Sequence, residues 1–171
     1  QDYIYILREA RVESSIASEI NKEYMDDFIS YSQSSLDYLK IVDAFFITSN
    51  ETRTGNLTAA TIDYSNHIAS RDSYTESVAA ILPCFVFYRE AAEEMKKNMS
   101  ANNPYEQWFN SYTSALFIAE TNRLVDIFND LADKATEESR ENMVDAYYKS
   151  AIKELNFYAD IYEMRYYDEA F

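Results

Sequence analysis

Cys84 is the one cysteine of this chain, and it follows Pro83 directly in Ile81-Leu82-Pro83-Cys84-Phe85-Val86-Phe87-Tyr88. A thiolate is an intrinsically strong nucleophile, so a thiol at a special backbone position invites a chemical reading. Proline removes a backbone donor, and its ring clashes with the carbonyl four residues back, that of Ala79. The helix through this stretch is therefore expected to kink or break. A lone cysteine is more often a small buried hydrophobe, so Cys84 needs companions before it means anything.

Companions exist at helical spacing. Side chains three or four apart share one face of a helix. Asp2 pairs in this way with Tyr5, Cys84 with Tyr88, and Glu154 with Phe157; Tyr64 lies near His67, and Tyr112 closes Phe109-Asn110-Ser111-Tyr112. Asp2 and Glu154 could be ordinary solvated charges. Glu154, however, stands among Ile152, Leu155 and Phe157, beside a buried face where a carboxylate needs partners. One thiol, two carboxylates and several aromatic rings suit nucleophilic addition to an electron-poor heterocycle. The rings would stack it, a carboxylate would bind its amino group or ring nitrogen, and sulfur would add to a ring carbon. A free thiol is only a few per cent ionised at neutral pH. A carboxylate within reach, Glu154 in this reading, would have to serve as base and acid.

Other chemistries fit poorly. Di-iron bundles use paired Glu-x-x-His motifs, whereas the chain has one histidine, His67. Zinc needs more His or Cys than are present. A single glycine, Gly55, excludes a glycine-rich phosphate loop. No nucleophile-elbow motif is present. The formal charge of −15 disfavours nucleic-acid backbones and anionic membrane surfaces.

The elements that must position these residues are helices. With 171 residues, the chain fits one domain over 1–171 with a sizeable core. One glycine and two prolines leave too few turn formers for a sheet protein. Periodicity and caps predict helices over about 2–20, 22–47, 58–70, 73–98, 105–111, 114–133 and 136–167. Ser73 and Glu76 are expected to form a capping box, and Pro104 to sit in the first turn of the short helix. The fold class expected is all-α, a single helical bundle. No stretch has the length of apolar residues that a membrane span needs. One cysteine leaves a reducing, cytoplasmic location as the default. The chain starts inside an apparent helix, so an N-terminal segment is expected to be missing.

Gln1-Asp2-Tyr3-Ile4-Tyr5, Tyr64-Ser65-Asn66-His67, Leu82-Pro83-Cys84-x-x-x-Tyr88, Asn103-Pro104-Tyr105-x-x-Trp108-Phe109-x-x-Tyr112 and Glu154-Leu155-Asn156-Phe157-Tyr158 together resemble the TenA/thiaminase II family. The Leu-Pro-Cys-x-x-x-Tyr piece and the late Glu-x-x-Phe piece are the specific ones. The resemblance implies a heme-oxygenase-like helical bundle, usually a homotetramer. It implies hydrolysis of thiamin or its aminopyrimidine breakdown product, 4-amino-5-aminomethyl-2-methylpyrimidine, to hydroxymethylpyrimidine for thiamin salvage, without metal or cofactor. By position, Cys84 would be the nucleophile and Glu154 the acid/base. Asp2 would hydrogen-bond the aminopyrimidine, Tyr5, Tyr64, Tyr88 and Tyr112 would line the pocket, and Phe157 would stack. Val86 and Leu155 depart from the family's usual tryptophan and tyrosine, and Arg8 and Glu9 place charges where His or apolar residues are common.

Two other readings remain open. A non-catalytic binder or regulator of a flat heterocycle would use the same pocket, since folds host unrelated functions. A heme or oxidoreductase role would need an axial ligand, for which His67 is the only histidine. Tyr162, Tyr166, Tyr167 and Phe171 could form a subunit contact or equally cover the N-terminal segment expected to be missing.

Overall fold

The computed structural model describes residues 1–45 and 73–163. Six helices follow one another: α1 Asp2–Glu19, α2 Lys22–Phe45, α3 Tyr74–Lys97, α4 Glu106–Tyr112, α5 Ala115–Lys134 and α6 Glu137–Glu163. The bundle is all-α, with no strand among the described residues. The helix expected over 58–70, which carries Tyr64 and His67, lies outside them, as do Tyr166, Tyr167 and Phe171.

Two helix pairings organise the core. The first, α1 on α2, is an antiparallel hairpin joined at Ile20 and Asn21, and the second sets α3 against α6, with α5 packed on α3 as well. Small polar groups draw the hairpin close: Ser32 Oγ donates to the Ala10 carbonyl at 2.7 Å and lies 2.8 Å from Ser14 Oγ. On α3, Ala79, Ala80 and Ala92 are buried and bring little bulk, which lets neighbouring helices approach its backbone. Phe28, Val78, Leu124 and Ile127 are wholly buried at the centre. Each such side chain contributes about 1.5–3 kcal/mol by leaving water.

Three local expectations are corrected. First, of the kink or break expected at Pro83, the break does not occur: α3 continues as helix for fourteen residues beyond it, to Lys97. Packing on both flanks outweighs the one lost hydrogen bond, because residues Glu76 through Phe85 are all buried. Second, Ser73 caps α3 by position only: its hydroxyl pairs with Thr75 Oγ1 at 2.8 Å rather than with the helix backbone, so the capping box is not formed. Third, Pro104 precedes the first turn of α4. Asn103 Oδ1 accepts from the Tyr105 amide at 2.9 Å, and Tyr105 takes the N-cap position. By contrast, the start of α5 is capped by its side chain, with Ser114 Oγ accepting from the Phe117 amide.

Candidate active site

Five helices converge on one end of the aromatic core. On α1, Asp2, Tyr5 and Glu9 recur at three and four residues and share a face. From α3 come Cys84 and, one turn on, Tyr88. Trp108 and Tyr112 are one turn apart on α4, Tyr38 belongs to α2, and Glu154, Phe157 and Tyr158 lie on α6. Of the residues singled out in the sequence, the structure brings together Asp2, Tyr5, Cys84, Tyr88, Tyr112, Glu154 and Phe157; Tyr64 lies outside the described residues.

Asp2 is held by three donors from three helices. The Tyr38 hydroxyl donates to Oδ2 at 2.7 Å, the Tyr88 hydroxyl to Oδ1 at 2.8 Å, and Trp108 Nε1 to Oδ2 at 3.3 Å. Desolvation raises the Asp2 pKa, and these three hydrogen bonds oppose it. Tyr38 and Trp108 were not singled out as site residues in the sequence. Trp108 was visible there one turn before Tyr112. Tyr38 gave no signal, because nothing local shows that its hydroxyl crosses to another helix.

Glu154 is 1% exposed, in the interior where a carboxylate is costly. The Tyr5 hydroxyl donates to Oε1, while Oε2 has no hydrogen-bond partner among the described residues. The Glu154 carboxyl is pushed up to about 8 by burial first; the Tyr5 hydrogen bond opposes this, and Glu9 and Asp2 add to it. At neutral pH it is therefore mostly protonated. Cys84 is also buried, at 7% exposed. Burial, then the charges of Glu154 and Glu9, push its thiol well above the usual cysteine value, and the Tyr5 hydroxyl within hydrogen-bonding reach pulls it back. Tyr5 thus stands between the sulfur and the carboxyl oxygen. Protonating Glu154 removes the largest charge opposing ionisation of the thiol, so the two groups titrate as a pair.

Aromatic rings enclose this polar set. Tyr5 lies 4.9 Å from Phe157 between ring centroids, Tyr88 4.8 Å from Tyr112 and Trp108 4.9 Å from Tyr112. The Tyr158 hydroxyl, like Glu154 Oε2, is buried without a hydrogen-bond partner among the described residues. Unpaired buried polar atoms usually signal a missing water, ion or ligand. Beside Cys84 opens a cavity of about 380 Å³, a volume within the range of small-molecule sites. Cys84, Tyr38 and Tyr112 line it, so it adjoins the polar set. No group of three or more His, Cys, Asp or Glu among the described residues is arranged to hold a metal ion.

The site is thus a thiol, a buried and a part-buried carboxyl and an aromatic shell within a helical bundle. Residues 1–164 match the TENA/THI-4/PQQC family, and the chain belongs to that family. It is 23% identical to the aminopyrimidine aminohydrolase of Bacillus subtilis over 171 residues, 95% of this chain and 72% of that protein. The TenA homologue of Pyrococcus furiosus superposes with a TM-score of 0.86 at 20% identity, covering 92% of this chain and 78% of its own. The TenA homologue of P. horikoshii superposes with a TM-score of 0.78 at 22% identity, covering 94% and 78%. The fold is therefore the helical, heme-oxygenase-like one. No helix among the described residues is long and apolar enough to cross a membrane.

Proposed function

We propose that the chain is a cysteine-dependent hydrolase of an aminopyrimidine in thiamin salvage, with 4-amino-5-aminomethyl-2-methylpyrimidine or thiamin as substrate and hydroxymethylpyrimidine as product. The observation that carries this reading is the placement of Cys84 beside the Tyr5–Glu154 pair, across an aromatic shell from the triply bonded Asp2. Family membership and the Bacillus subtilis relative support it.

In this reading Asp2 accepts from the exocyclic amino group and fixes the ring, while Phe157 and the tyrosines stack against it. Protonated Glu154 gives its proton to a ring nitrogen as the Cys84 sulfur bonds to a ring carbon. The thiol proton passes to the carboxylate so formed, with the Tyr5 hydroxyl between them. The ring electrons released by this addition expel the group on the exocyclic methylene, which leaves with the bonding pair. Water adds to the methylene through its oxygen, and the proton it releases goes to the departed amine or to solvent. The ring proton then returns through Glu154 as the C–S bond breaks, regenerating thiol and aromatic ring. Atoms balance as substrate plus water giving alcohol plus amine.

The same reading carries a cytoplasmic location and a homo-oligomer, a tetramer by family resemblance. Val144, Tyr148, Ile152 and Leu155 recur along α6 at 64%, 63%, 41% and 68% exposed and offer a face for it; Tyr162 is 89% exposed.

The test is release of hydroxymethylpyrimidine, followed by chromatography. Wild-type protein is expected to form it from at least one of the two substrates, and Cys84→Ser to lower turnover by roughly three orders of magnitude or more, as removal of a covalent nucleophile does. Normal turnover by the folded variant would remove the nucleophile assignment. Ligand binding without product from either substrate would favour a non-catalytic binder.

A further inference from the structure

The cavity beside Cys84 is acid-lined in a way the aminopyrimidine ring does not require. Glu9 and Glu13, one turn apart on α1, and Glu120 on α5 all line it, and they are 3%, 1% and 8% exposed. No Lys, Arg or His among the described residues lines it. Glu13 Oε2 accepts from Ser35 at 2.9 Å and Glu120 Oε1 from Ser34 at 2.6 Å, so neutral hydroxyls orient both carboxyls, and neither forms an ion pair among the described residues. Buried carboxylates without a counter-charge are costly. Burial, then the charge of Glu9, push Glu13 up to about 8, against the Ser35 hydrogen bond and with Glu120 adding to it.

A second observation points the same way. Tyr31 lines the cavity at 2% exposed, and its hydroxyl has no hydrogen-bond partner among the described residues. Burial first and then the charge of Asp27 raise the pKa of that hydroxyl, Arg123, paired with Asp27, lowers it, and Glu120 and Glu13 raise it further. It is an orphan polar atom on a residue that lines the same cavity as the acids. The remaining wall includes Ile6, Phe85 and Phe117, and an aromatic wall beside carboxylates suits a bulky organic cation.

We propose that this chamber binds an organic cation, whose charge draws the protons off Glu13 and Glu120 and makes them its counter-charges, with Glu9 and Tyr31 beside them, and that it selects substrates whose departing group is positively charged. The inference rests on the aminopyrimidine reading, because Cys84 and Tyr112 wall both the chamber and the ring site. The chemistry gives the chamber a purpose. When the exocyclic C–N bond breaks, the electron pair stays on nitrogen, so only a nitrogen that starts positively charged leaves as a neutral molecule. Carboxylates around it keep a primary amine protonated, and they equally accommodate a quaternary azolium.

Binding calorimetry at one pH separates the possibilities with three ligands sharing the same pyrimidine: the aminomethyl form (an ammonium), thiamin (an azolium) and the neutral hydroxymethyl form. The wild type is expected to bind at least one cation roughly tenfold more tightly than the neutral ligand. Glu13→Gln and Glu120→Gln, checked for folding by circular dichroism, are expected to erase that preference and leave the neutral ligand's affinity unchanged. Whether the ammonium or the azolium gains more identifies the source of the charge. Equal affinity of the wild type for cationic and neutral ligands overturns the chamber while the aminopyrimidine reading stands. If none of the three binds, that reading falls, and tetramethylammonium decides the chamber alone: binding that Glu13→Gln abolishes supports it, and no binding overturns it.

Discussion

Asp2 and Glu154 are both carboxylates desolvated in the same aromatic shell, yet they are built for opposite tasks. Asp2 receives three hydrogen bonds from three helices. Glu154 receives one, from Tyr5, and keeps one oxygen without a partner among the described residues. A carboxylate held by three donors, with one acceptor position left for a ligand, is an anchor, because each donor stabilises the ionised form and fixes its direction. A carboxylate with one donor and an open oxygen keeps its proton to higher pH and can hand it to a ligand. The number of donors, more than depth, distinguishes a group that holds from a group that transfers.

The most severe way to break this contrast is to remove the transferable proton. Glu154→Gln should lower kcat by about 10²–10⁴, the usual contribution of a positioned acid or base, with KM little changed. In the wild type, activity should fall as pH rises through about 8, where the Glu154 acid form is lost. Steady-state rates across pH check both, and an unaltered alkaline limb in Glu154→Gln would assign that limb to another group.

Stability should show the same raised carboxyls. Glu154 and Glu13, both raised to about 8, bind protons in the folded state that the unfolded chain has already released above the usual carboxylate range. The folded state then holds more protons than the unfolded one, so stability falls as pH rises. The melting temperature should be highest near pH 5 and decline toward pH 8. Glu13→Gln should flatten that decline. A melting temperature that rises over this window would show that these carboxyls are ionised in the folded protein.

Removing the anchor's charge should act on binding more than on chemistry. Asp2→Asn turns charge-assisted hydrogen bonds into neutral ones, a loss of about 1.5–3 kcal/mol, so affinity for the pyrimidine should weaken by about ten- to a hundredfold while kcat changes less. Calorimetry with hydroxymethylpyrimidine reads this directly. The smallest effect belongs to one of the three donors. Tyr38→Phe should weaken affinity only a few-fold, about 0.5–1.5 kcal/mol, because Tyr88 and Trp108 remain on Asp2. If Tyr38→Phe cost as much as Asp2→Asn, the three donors would be acting as one cooperative unit.

Much of the fold was legible in the residues. Helix ends fall within a residue or two of the periodicity at Glu19, Lys22, Lys97 and Lys134, because apolar spacing and connecting turns are local signals. A break at Pro83 did not follow, since proline's local cost says nothing of the packing on either side that keeps α3 continuous. The capping box misled likewise, because Thr75 competes for the Ser73 hydroxyl.

The site divides along the same line. Residue types and one-turn spacing were enough to single out Cys84 with Tyr88 and Glu154 with Phe157, because helical periodicity alone puts such pairs on one face. They could not show Tyr38 reaching Asp2, Tyr5 standing between sulfur and carboxyl, or Glu13 and Glu120 facing one cavity. Those relations join residues between 36 and 149 positions apart in hydrogen bonds such as Tyr38–Asp2 and Tyr5–Glu154. Helical propensity is written into neighbouring residues. Which carboxylate is held by several donors and which by one is decided only when separate helices meet, because donor count and desolvation are properties of the packed interior.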